Sequence, residues 1–288
     1  YHYIARRRER LCWRVTCQDA YHRVQVIRLL RKTIKVSAVT EYLNPNQRRV
    51  EELTRHGDAK SVPKEGPSIN LFDRESKLLS HLDRIVEWRT TGATAPVMVV
   101  IDPTFKCNHR CPGCHGLMGQ DTATIPLDAL QRIAQQIAEV GVKAVSLGGG
   151  GDPSCHPQFG EVLRCFNHNN LQVGYYTNGE LLRPESISAT MEACSWVRFS
   201  LDADGPEIHQ LVHRCSPKAF EKVVSNMKQM VEARAKVGSN IVLGAGYLVR
   251  PDTMSGMYGA SKLCRDIGLD YIRIRPFFGY DNKPLCNE

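Results

Sequence analysis

The chain has 288 residues, of which 42% are hydrophobic and 24% are charged, and this composition is typical of a globular protein of one large or two small domains. It excludes a membrane-spanning chain, because no apolar run approaches the ~18 residues that a transmembrane helix needs. The formal net charge of +8 at pH 7 raises the question of a nucleic-acid partner.

The positive charge is confined to the first 40 residues, which hold ten Arg or Lys and two acids, so residues 41–288 carry no net charge. No helix-turn-helix pattern or interleaved aromatic residues accompany the basic segment, which argues against nucleic-acid binding. We therefore expect residues 1–60 to form a basic, mostly helical N-terminal extension that is poorly ordered. Residues 61–95 then form a linker and a lead-in helix, and residues 96–288 form the core domain.

The N-terminus shows no secretory signal, since no apolar segment follows its arginines. This predicts a cytoplasmic protein, in which the eleven cysteines stay reduced and do not form a disulfide framework. Eight of them are scattered along the chain. The other three form a Cys-x3-Cys-x2-Cys cluster at Cys107, Cys111 and Cys114.

Helices and strands can be predicted from the hydrophobic periodicity. The lead-in helix places Leu71, Leu78, Leu79, Leu82, Ile85 and Val86 on one face. Gly92 ends that helix, and later helices are predicted over 127–140 and 220–231. Strands are predicted at 97–101, 144–147, 172–176, 197–201, 241–249 and 271–275. Because each strand after the first follows a helix, we expect a parallel α/β sheet, either barrel-like or doubly wound.

Four unusual segments each lie at the carboxyl end of a predicted strand. They are the cysteine loop Cys107–Cys114, then Gly148–Pro153, Thr177–Gly179 and Ser200–Asp204. In a parallel βα barrel, the loops at the carboxyl ends of the strands carry the active site. The sequence therefore predicts that all four segments meet at one edge of the sheet.

Each segment alone has an ordinary alternative. The cysteines suit a metal centre with one open position, but also a zinc site completed by His109 or His115. The Thr-Asn-Gly segment is most simply a turn. Ser200 and Asp202 are expected to point to one side of a strand, because alternate residues share a face.

The glycine segment does not fit a dinucleotide-binding pattern, since Pro153 stands at the third glycine position. Glycines without side chains allow the backbone to approach a ligand closely. Asp152 next to them would suit the ammonium group of a ligand.

Together the four segments resemble the radical SAM superfamily, and the resemblance covers about residues 96–280. In that family three thiolates bind a [4Fe–4S] cluster, and S-adenosylmethionine (SAM) chelates the fourth iron through its amino and carboxylate groups. The resemblance implies that Cys107, Cys111 and Cys114 are the cluster ligands. It implies a partial (β/α)6 TIM-like barrel of parallel strands. The implied SAM-binding residues are Gly149, Gly150, Gly151, Asp152, Thr177, Asn178, Ser200 and Asp202.

Two positions depart from the family pattern. Gly113 stands before the third cysteine, where an aromatic residue usually packs near the adenine. His213 stands where many members carry an arginine, with Arg214 next to it. His156, His209 and His213 are further polar candidates near the site, but no general base can be named.

The implied activity is reductive cleavage of SAM, with an electron from a flavodoxin or ferredoxin-type donor. The resulting 5′-deoxyadenosyl radical would abstract hydrogen from an unknown peptide, sugar or small metabolite. The later strands resemble members that carry a C-terminal SPASM or twitch extension, and Cys286 either begins one or is an ordinary cysteine. No second multi-cysteine run is present in the sequence, so we expect one cluster.

Three alternative functions remain open. A glycyl-radical-enzyme activase is suggested by the Cys-Pro-Gly-Cys string, which ends the cysteine loop. A zinc-binding interaction module would need only that loop, and a nucleic-acid binder would depend on residues 1–40.

Overall fold

A computed structural model describes residues 80–114 and 122–277 of the chain. The predicted N-terminal extension, the linker, His115 and Cys286 lie outside these residues. The chain divides into two compact units, and the boundary among the described residues falls between Ala95 and Pro96. The proposed domain limits at residues 60 and 95 remain predictions.

The first described unit contributes helix α1, Leu82–Thr91. It ends as predicted at Gly92, which adopts a left-handed conformation with φ +76° and donates its N–H to the carbonyl of Trp88. The predicted apolar face is only partly described, because Leu71, Leu78 and Leu79 lie outside. On that face, Leu82 and Val86 are exposed.

The second described unit alternates strands with helices. Its strands are β1 (Met98–Ile101), β2 (Ala144–Leu147), β3 (Gln172–Thr177), β4 (Cys194–Ser200), β5 (Val242–Val249) and β6 (Tyr271–Pro276). Its helices are α2 (Leu127–Val140), α3 (Phe159–His168), α4 (Pro184–Ala193), α5 (Pro206–His213), α6 (Ala219–Val237) and α7 (Met257–Ile267). Short 3-10 turns occupy Pro153–Cys155 and Met254–Gly256.

All six predicted strands are present. The main differences from the sequence prediction are the two ends of β4. Strand β4 begins at Cys194 and not at 197, because α4 runs directly into it and Cys194 already pairs with Val173. The same strand ends at Ser200, before the predicted limit at 201.

The six strands are parallel and pair in sequential order from β1 to β6. A doubly wound sheet reverses its strand order at a switch point, and this sheet does not. Among the described strands β1 and β6 do not pair, so the sheet is an unclosed partial barrel. The predicted parallel α/β class and partial (β/α)6 barrel are confirmed.

The hydrophobic core lies between one face of the sheet and the helices. Val145, Tyr175 and Phe199 on the strands are completely or almost completely buried there, as are Leu163 and Met227 on the helices. Because successive strand residues point to opposite faces, the residues between them form a second face on the inside of the partial barrel. Every loop that follows a strand starts at the carboxyl edge of this sheet.

Candidate functional site

A cavity of about 440 Å³ opens at the carboxyl edge of the sheet. Every residue that the sequence singled out as a cluster or SAM ligand lines it: Cys107, Cys111, Cys114, Gly149, Gly150, Gly151, Asp152, Thr177, Asn178, Ser200 and Asp202. The structure thus brings the four segments to one place, although their strands are spread across the sheet. The role of each residue remains a prediction.

A short pairing with the segment before α2 fixes the start of the cysteine loop. Thr104 and Thr124 form an antiparallel bridge, and their hydroxyl oxygens lie 2.8 Å apart. The N–H of Phe105 donates to the carbonyl of Ala123, and that of Ile125 donates to the carbonyl of Pro103. The loop therefore leaves β1 in a defined direction.

The three cysteines are half-buried, and other segments contact two of them. Cys111 Sγ lies 3.1 Å from Nδ1 of His213, and Asn178 Nδ2 donates to Cys107 Sγ over 3.9 Å. Burial raises the pKa of the Cys107 and Cys111 thiols above the ordinary value. In the metal-free protein these groups are thiols, and metal binding would have to displace their protons.

The glycine segment packs directly against the lead-in of the cysteine loop. A Cβ on Gly150 would lie 2.1 Å from Cε1 of Phe105, and one on Gly151 would lie 2.4 Å from the carbonyl oxygen of Lys106. The N–H of Asp152 donates to that same carbonyl. The contact between the two loops therefore requires glycine at both positions, and the close approach of a ligand to the glycine segment stays a prediction.

Asp152 joins the glycine segment to the end of β3. Its carboxylate accepts hydrogen bonds from the Ser154 N–H and hydroxyl, the Thr177 hydroxyl and the Asn178 N–H, at 2.6 to 3.1 Å. A carboxylate offers about four acceptor sites. Asp152 is buried, and its acceptor capacity is largely satisfied within the protein.

A second network continues from the end of β3 to the cysteine loop. Asn178 Nδ2 donates to Asn108, Asn108 Nδ2 donates to Glu180, and Glu180 also lies 2.9 Å from Nε2 of His109. Sequence reasoning missed Glu180 and Asn108. The only indication was that Glu180 directly follows the Thr-Asn-Gly segment.

The end of β4 is arranged differently from the prediction. Ser200 is the last strand residue, and Asp202 adopts φ +51°, so strand alternation does not place these two side chains. The backbone turn brings Asp202 to the cavity instead. Burial raises its pKa to about 7, against the opposing effects of the Leu248 N–H, Arg275 and Arg250.

Three buried histidines pack together at this part of the cavity, and two of them, His109 and His213, line it. The ring centres of His109, His209 and His213 lie 4.5 to 5.8 Å apart. Burial lowers the pKa of His209 to about 4 and that of His213 to about 3, so both are neutral at pH 7. His109, Cys111 and His213 bring one ligand atom each within 4.8 Å of one another, which also suits zinc.

The fourth histidine candidate, His156, is buried away from the cavity lining and is held by two backbone groups. Its Nδ1 accepts from the Gln158 N–H, so Nε2 carries the proton and donates to the carbonyl of Ile125. These contacts give His156 a structural function.

Four cavity-lining residues from outside the predicted set lie on β3, directly after β5, on β6 and directly after β6. They are Tyr176, Arg250, Arg275 and Phe277. The ring of Phe277 covers Gly113: a Cβ there would lie 2.5 Å from Cζ of Phe277. Phe277 thus puts an aromatic ring where the cysteine loop lacks one. Arg214, in contrast, is exposed and does not line the cavity.

A family model described as the radical SAM superfamily matches residues 101–250, which are just over half of the chain. The chain belongs to the radical SAM superfamily. The matched region begins in β1 and ends just after β5, so it contains all four segments that meet at the cavity.

The chain is similar to mycofactocin maturase MftC of Mycobacterium ulcerans, with 26% identity over 198 residues. This match covers 67% of the chain and 51% of that protein. It is also similar to an AdoMet-dependent heme synthase of Methanosarcina barkeri, with 29% identity over 48% of the chain and 40% of that protein. The chain spans about half the length of the curated relatives it matches.

The fold is similar to that of Streptococcus suis SuiB bound to the precursor peptide SuiA. The TM-score is 0.56 at 16% identity, and the alignment covers 79% of this chain and 51% of SuiB. At this identity the similarity concerns the fold alone. Within residues 80–114 and 122–277, no helix is long and apolar enough to cross a bilayer.

Proposed function

We propose that this chain is the catalytic core of a radical SAM enzyme that modifies a peptide. The observation that carries this proposal is the meeting of three cysteines and three other strand-end segments at one cavity. An enzyme core of this family needs all four there. A structural zinc site would need the cysteine loop alone.

Cys107, Cys111 and Cys114 would bind a [4Fe–4S] cluster and leave one iron open to SAM. The three donors fit such a cluster, because all are sulfur atoms on one short loop and all line the same cavity. Cluster and SAM together would supply reductive cleavage of SAM and a 5′-deoxyadenosyl radical that takes hydrogen from the substrate. The electron would come from a flavodoxin or ferredoxin-type donor.

The protein's own residues position the ligands and exclude water. Gly149, Gly150, Gly151, Asp152, Thr177, Asn178, Ser200 and Asp202 are the proposed SAM-binding residues. Asp152 acts mainly by holding the backbone of both loops in place. Phe277 would supply the aromatic contact that Gly113 lacks.

A peptide substrate is favoured by two similarities. The chain is similar in sequence to a mycofactocin maturase and in fold to an enzyme whose structure contains a precursor peptide. Sugars and small metabolites are the alternatives within the same chemistry. The proposed location is the cytoplasm, where these cysteines would stay reduced.

The test is reconstitution of the full chain with iron and sulfide in the absence of oxygen. We expect about four irons per chain and release of 5′-deoxyadenosine and methionine after addition of SAM and dithionite. Cys111→Ala should lose both properties. Cys215→Ala is the matched control, because Cys215 does not line the cavity.

Two results would contradict the proposal. One is uptake of zinc only, which the arrangement of His109, Cys111 and His213 would allow. The other is full SAM cleavage by Cys111→Ala. Metal analysis and chromatography of the reaction products distinguish these cases.

A further inference from the structure

The inner face of the partial barrel carries a group of aromatic residues around one arginine. Tyr176 on β3, Trp196 and Arg198 on β4, and Tyr271 on β6 form this group, which we call the platform. These positions alternate with the buried core residues of the same strands, and Tyr176 is 40% exposed. The platform therefore faces the interior of the barrel and not the helices.

Aromatic groups hold Arg198 in a fixed orientation. Its Nε donates to the Tyr271 hydroxyl over 2.9 Å, and Nη1 donates to the Tyr176 hydroxyl over 3.5 Å. Its Cζ lies 5.2 Å from the centre of the Tyr176 ring, 5.4 Å from that of Tyr271 and 6.0 Å from that of Trp196. These are cation–π distances. A guanidinium group has five N–H donors, so this arrangement leaves several for another acceptor.

The platform depends on two glycines, each on the strand next to one of the aromatic rings. A Cβ on Gly174 would lie 2.0 Å from Cε2 of Trp196, and one on Gly244 would lie 2.2 Å from Cζ of Tyr271. Both rings therefore lie flat over the backbone of the adjacent strand. Glycine normally weakens a strand, and inside a strand it often marks a site where another group approaches the backbone closely. At both positions this group is an aromatic ring of the platform.

The platform adjoins the cavity and belongs to a positively charged face. Tyr176 lines the cavity, and so does Arg275, which together with Arg273 lies on the inner side of β6. Strands β1 to β6 contain no Asp or Glu. Among the described residues, no carboxylate oxygen lies within 4.0 Å of a nitrogen of Arg198, Arg273 or Arg275, and the carboxylate on whose pKa Arg275 acts is Asp202 in the cavity.

We infer that this inner face binds a carboxylate of the peptide substrate through Arg198, Arg273 and Arg275, next to an aromatic side chain stacked on the platform. This rests on the proposed function, because the face leads directly into the proposed SAM cavity. Arginine suits the task, since its planar group pairs with a carboxylate through two parallel hydrogen bonds. An acidic residue near the modified position would thereby be held beside the reacting groups.

A nucleic acid fits this surface less well than an acidic peptide. Residues 41–288 carry no net charge, and the described strands of the inner face carry three arginines, on β4 and β6. A polyphosphate backbone requires an extended basic surface. The platform instead places aromatic rings next to single guanidinium groups. This arrangement suits a peptide that carries an aromatic side chain near an acidic one.

The inference can be tested by fluorescence anisotropy with the reconstituted full chain. The probe is a short fluorescein-labelled peptide of alternating Glu and Phe. Peptides of Gln and Phe, and of Glu and Ala, are the comparators. We expect the Glu/Phe peptide to bind most tightly. The Gln/Phe peptide should bind about tenfold more weakly, since a charge-assisted hydrogen bond is worth about one factor of ten. The Glu/Ala peptide should also bind about tenfold more weakly, because it loses the aromatic contacts with the platform.

Substitutions in the chain locate the binding. Arg273→Gln should weaken binding of the Glu/Phe peptide about tenfold and should leave its affinity for the Gln/Phe peptide nearly unchanged. Arg265→Gln is the matched control, because it removes the same charge from an exposed position on α7. Arg198→Lys keeps the charge but loses the planar group, and should also weaken binding. Thermal unfolding of each variant shows that it is folded.

Four outcomes would overturn the inference. The wild-type chain does not bind the Glu/Phe peptide; it binds the Gln/Phe peptide equally well; Arg265→Gln has the same effect as Arg273→Gln; or a single-stranded RNA binds more tightly than the peptide. The same samples are assayed for release of 5′-deoxyadenosine. If the chain cleaves SAM but does not bind the peptide, the inference is wrong and the proposed radical SAM chemistry stands. If it binds the peptide but does not cleave SAM, the proposed function is wrong.

Discussion

The two sides of the cavity use buried carboxylates in opposite ways. On the β2–β3 side, Asp152 accepts hydrogen bonds from four donors and connects two loops. On the β4–β5 side, Asp202 accepts from one backbone N–H, that of Leu248, and burial raises its pKa to about 7. Both side chains are buried, and both line the cavity.

The difference indicates a division of labour. The β2–β3 side is internally satisfied, so it serves as a rigid backbone surface whose shape does not depend on a ligand. The β4–β5 side keeps polar groups with unused hydrogen-bonding capacity, and Arg250 after β5 and Arg275 on the neighbouring β6 line the cavity next to it. The β2–β3 side would fit the shape of a ligand, and the β4–β5 side would form new charged contacts with it.

The largest effect is expected from Asp152→Ala on the satisfied side. Removal of the carboxylate leaves the Asn178 N–H, the Ser154 N–H and the Thr177 hydroxyl without their acceptor in a buried site. We expect the free energy of unfolding to fall by about 5 kcal/mol. Urea denaturation of the metal-free protein measures this change.

Ser154→Ala is the control for that experiment. It removes one donor while the carboxylate keeps the others, so a loss of about 1 kcal/mol is expected. Equal losses for Ser154→Ala and Asp152→Ala would mean that Asp152 does not hold the two loops together.

The next largest effect is a change with pH in the free energy of unfolding, which we expect from Asp202. The folded protein binds a proton at Asp202 more tightly than the unfolded chain does, because burial raises its pKa from 3.8 to about 7. The free energy of unfolding, relative to Asp202→Asn, should therefore fall as the pH rises from about 4 to about 7, and then stay constant. The fall is at most about 4 kcal/mol.

Measuring wild type against Asp202→Asn cancels the opposite contribution of His209, whereas that of His213 stays coupled to Asp202, because its Nε2 lies 3.7 Å from Asp202 Oδ2. The lowered pKa values of His209 and His213 make stability rise with pH below about 6.5 in both proteins. A difference that stays flat between pH 4 and 7 would show that Asp202 is not desolvated in solution.

The sequence predicts the β2–β3 side of the cavity better than the β4–β5 side. Asp152, Thr177 and Asn178 stand in short motifs directly after strands, and strand periodicity alone brings them to one edge. The parallel sheet follows from the same alternation, since each strand after the first is reached across a helix. These features depend on local order along the chain.

What the sequence does not predict depends on contacts between distant segments. Phe277 covers Gly113 across 164 positions of the chain, and no spacing rule connects them. The left-handed turn at Asp202 ends β4 early, although the residue is not glycine. Glu180 reaches the cysteine loop only because the folded backbone brings Asn108 and His109 to it.

Phe277 gives a smaller effect, which is confined to ligand binding. Phe277→Ala should weaken SAM binding by the reconstituted protein about tenfold, because it removes the aromatic ring beside the cysteine loop. Equilibrium dialysis with labelled SAM measures the affinity. Tyr258→Ala is the control, since Tyr258 is an exposed aromatic residue elsewhere in the same unit. Similar affinities for the two variants would exclude Phe277 from the SAM site.

The smallest effect is expected at Arg214, and it separates motif spacing from geometry. Spacing alone allows Arg214 to replace the arginine that many family members carry at the position of His213. The structure leaves Arg214 exposed in a left-handed conformation at the end of α5, while Arg250 and Arg275 line the cavity. Arg214→Gln should therefore change the SAM affinity by less than about twofold, whereas Arg250→Gln should weaken it about tenfold. A tenfold loss for Arg214→Gln together with an unchanged affinity for Arg250→Gln, in the same dialysis experiment, would contradict this. It would mean that Arg214, which does not line the cavity in the structure, contributes to SAM binding in place of Arg250.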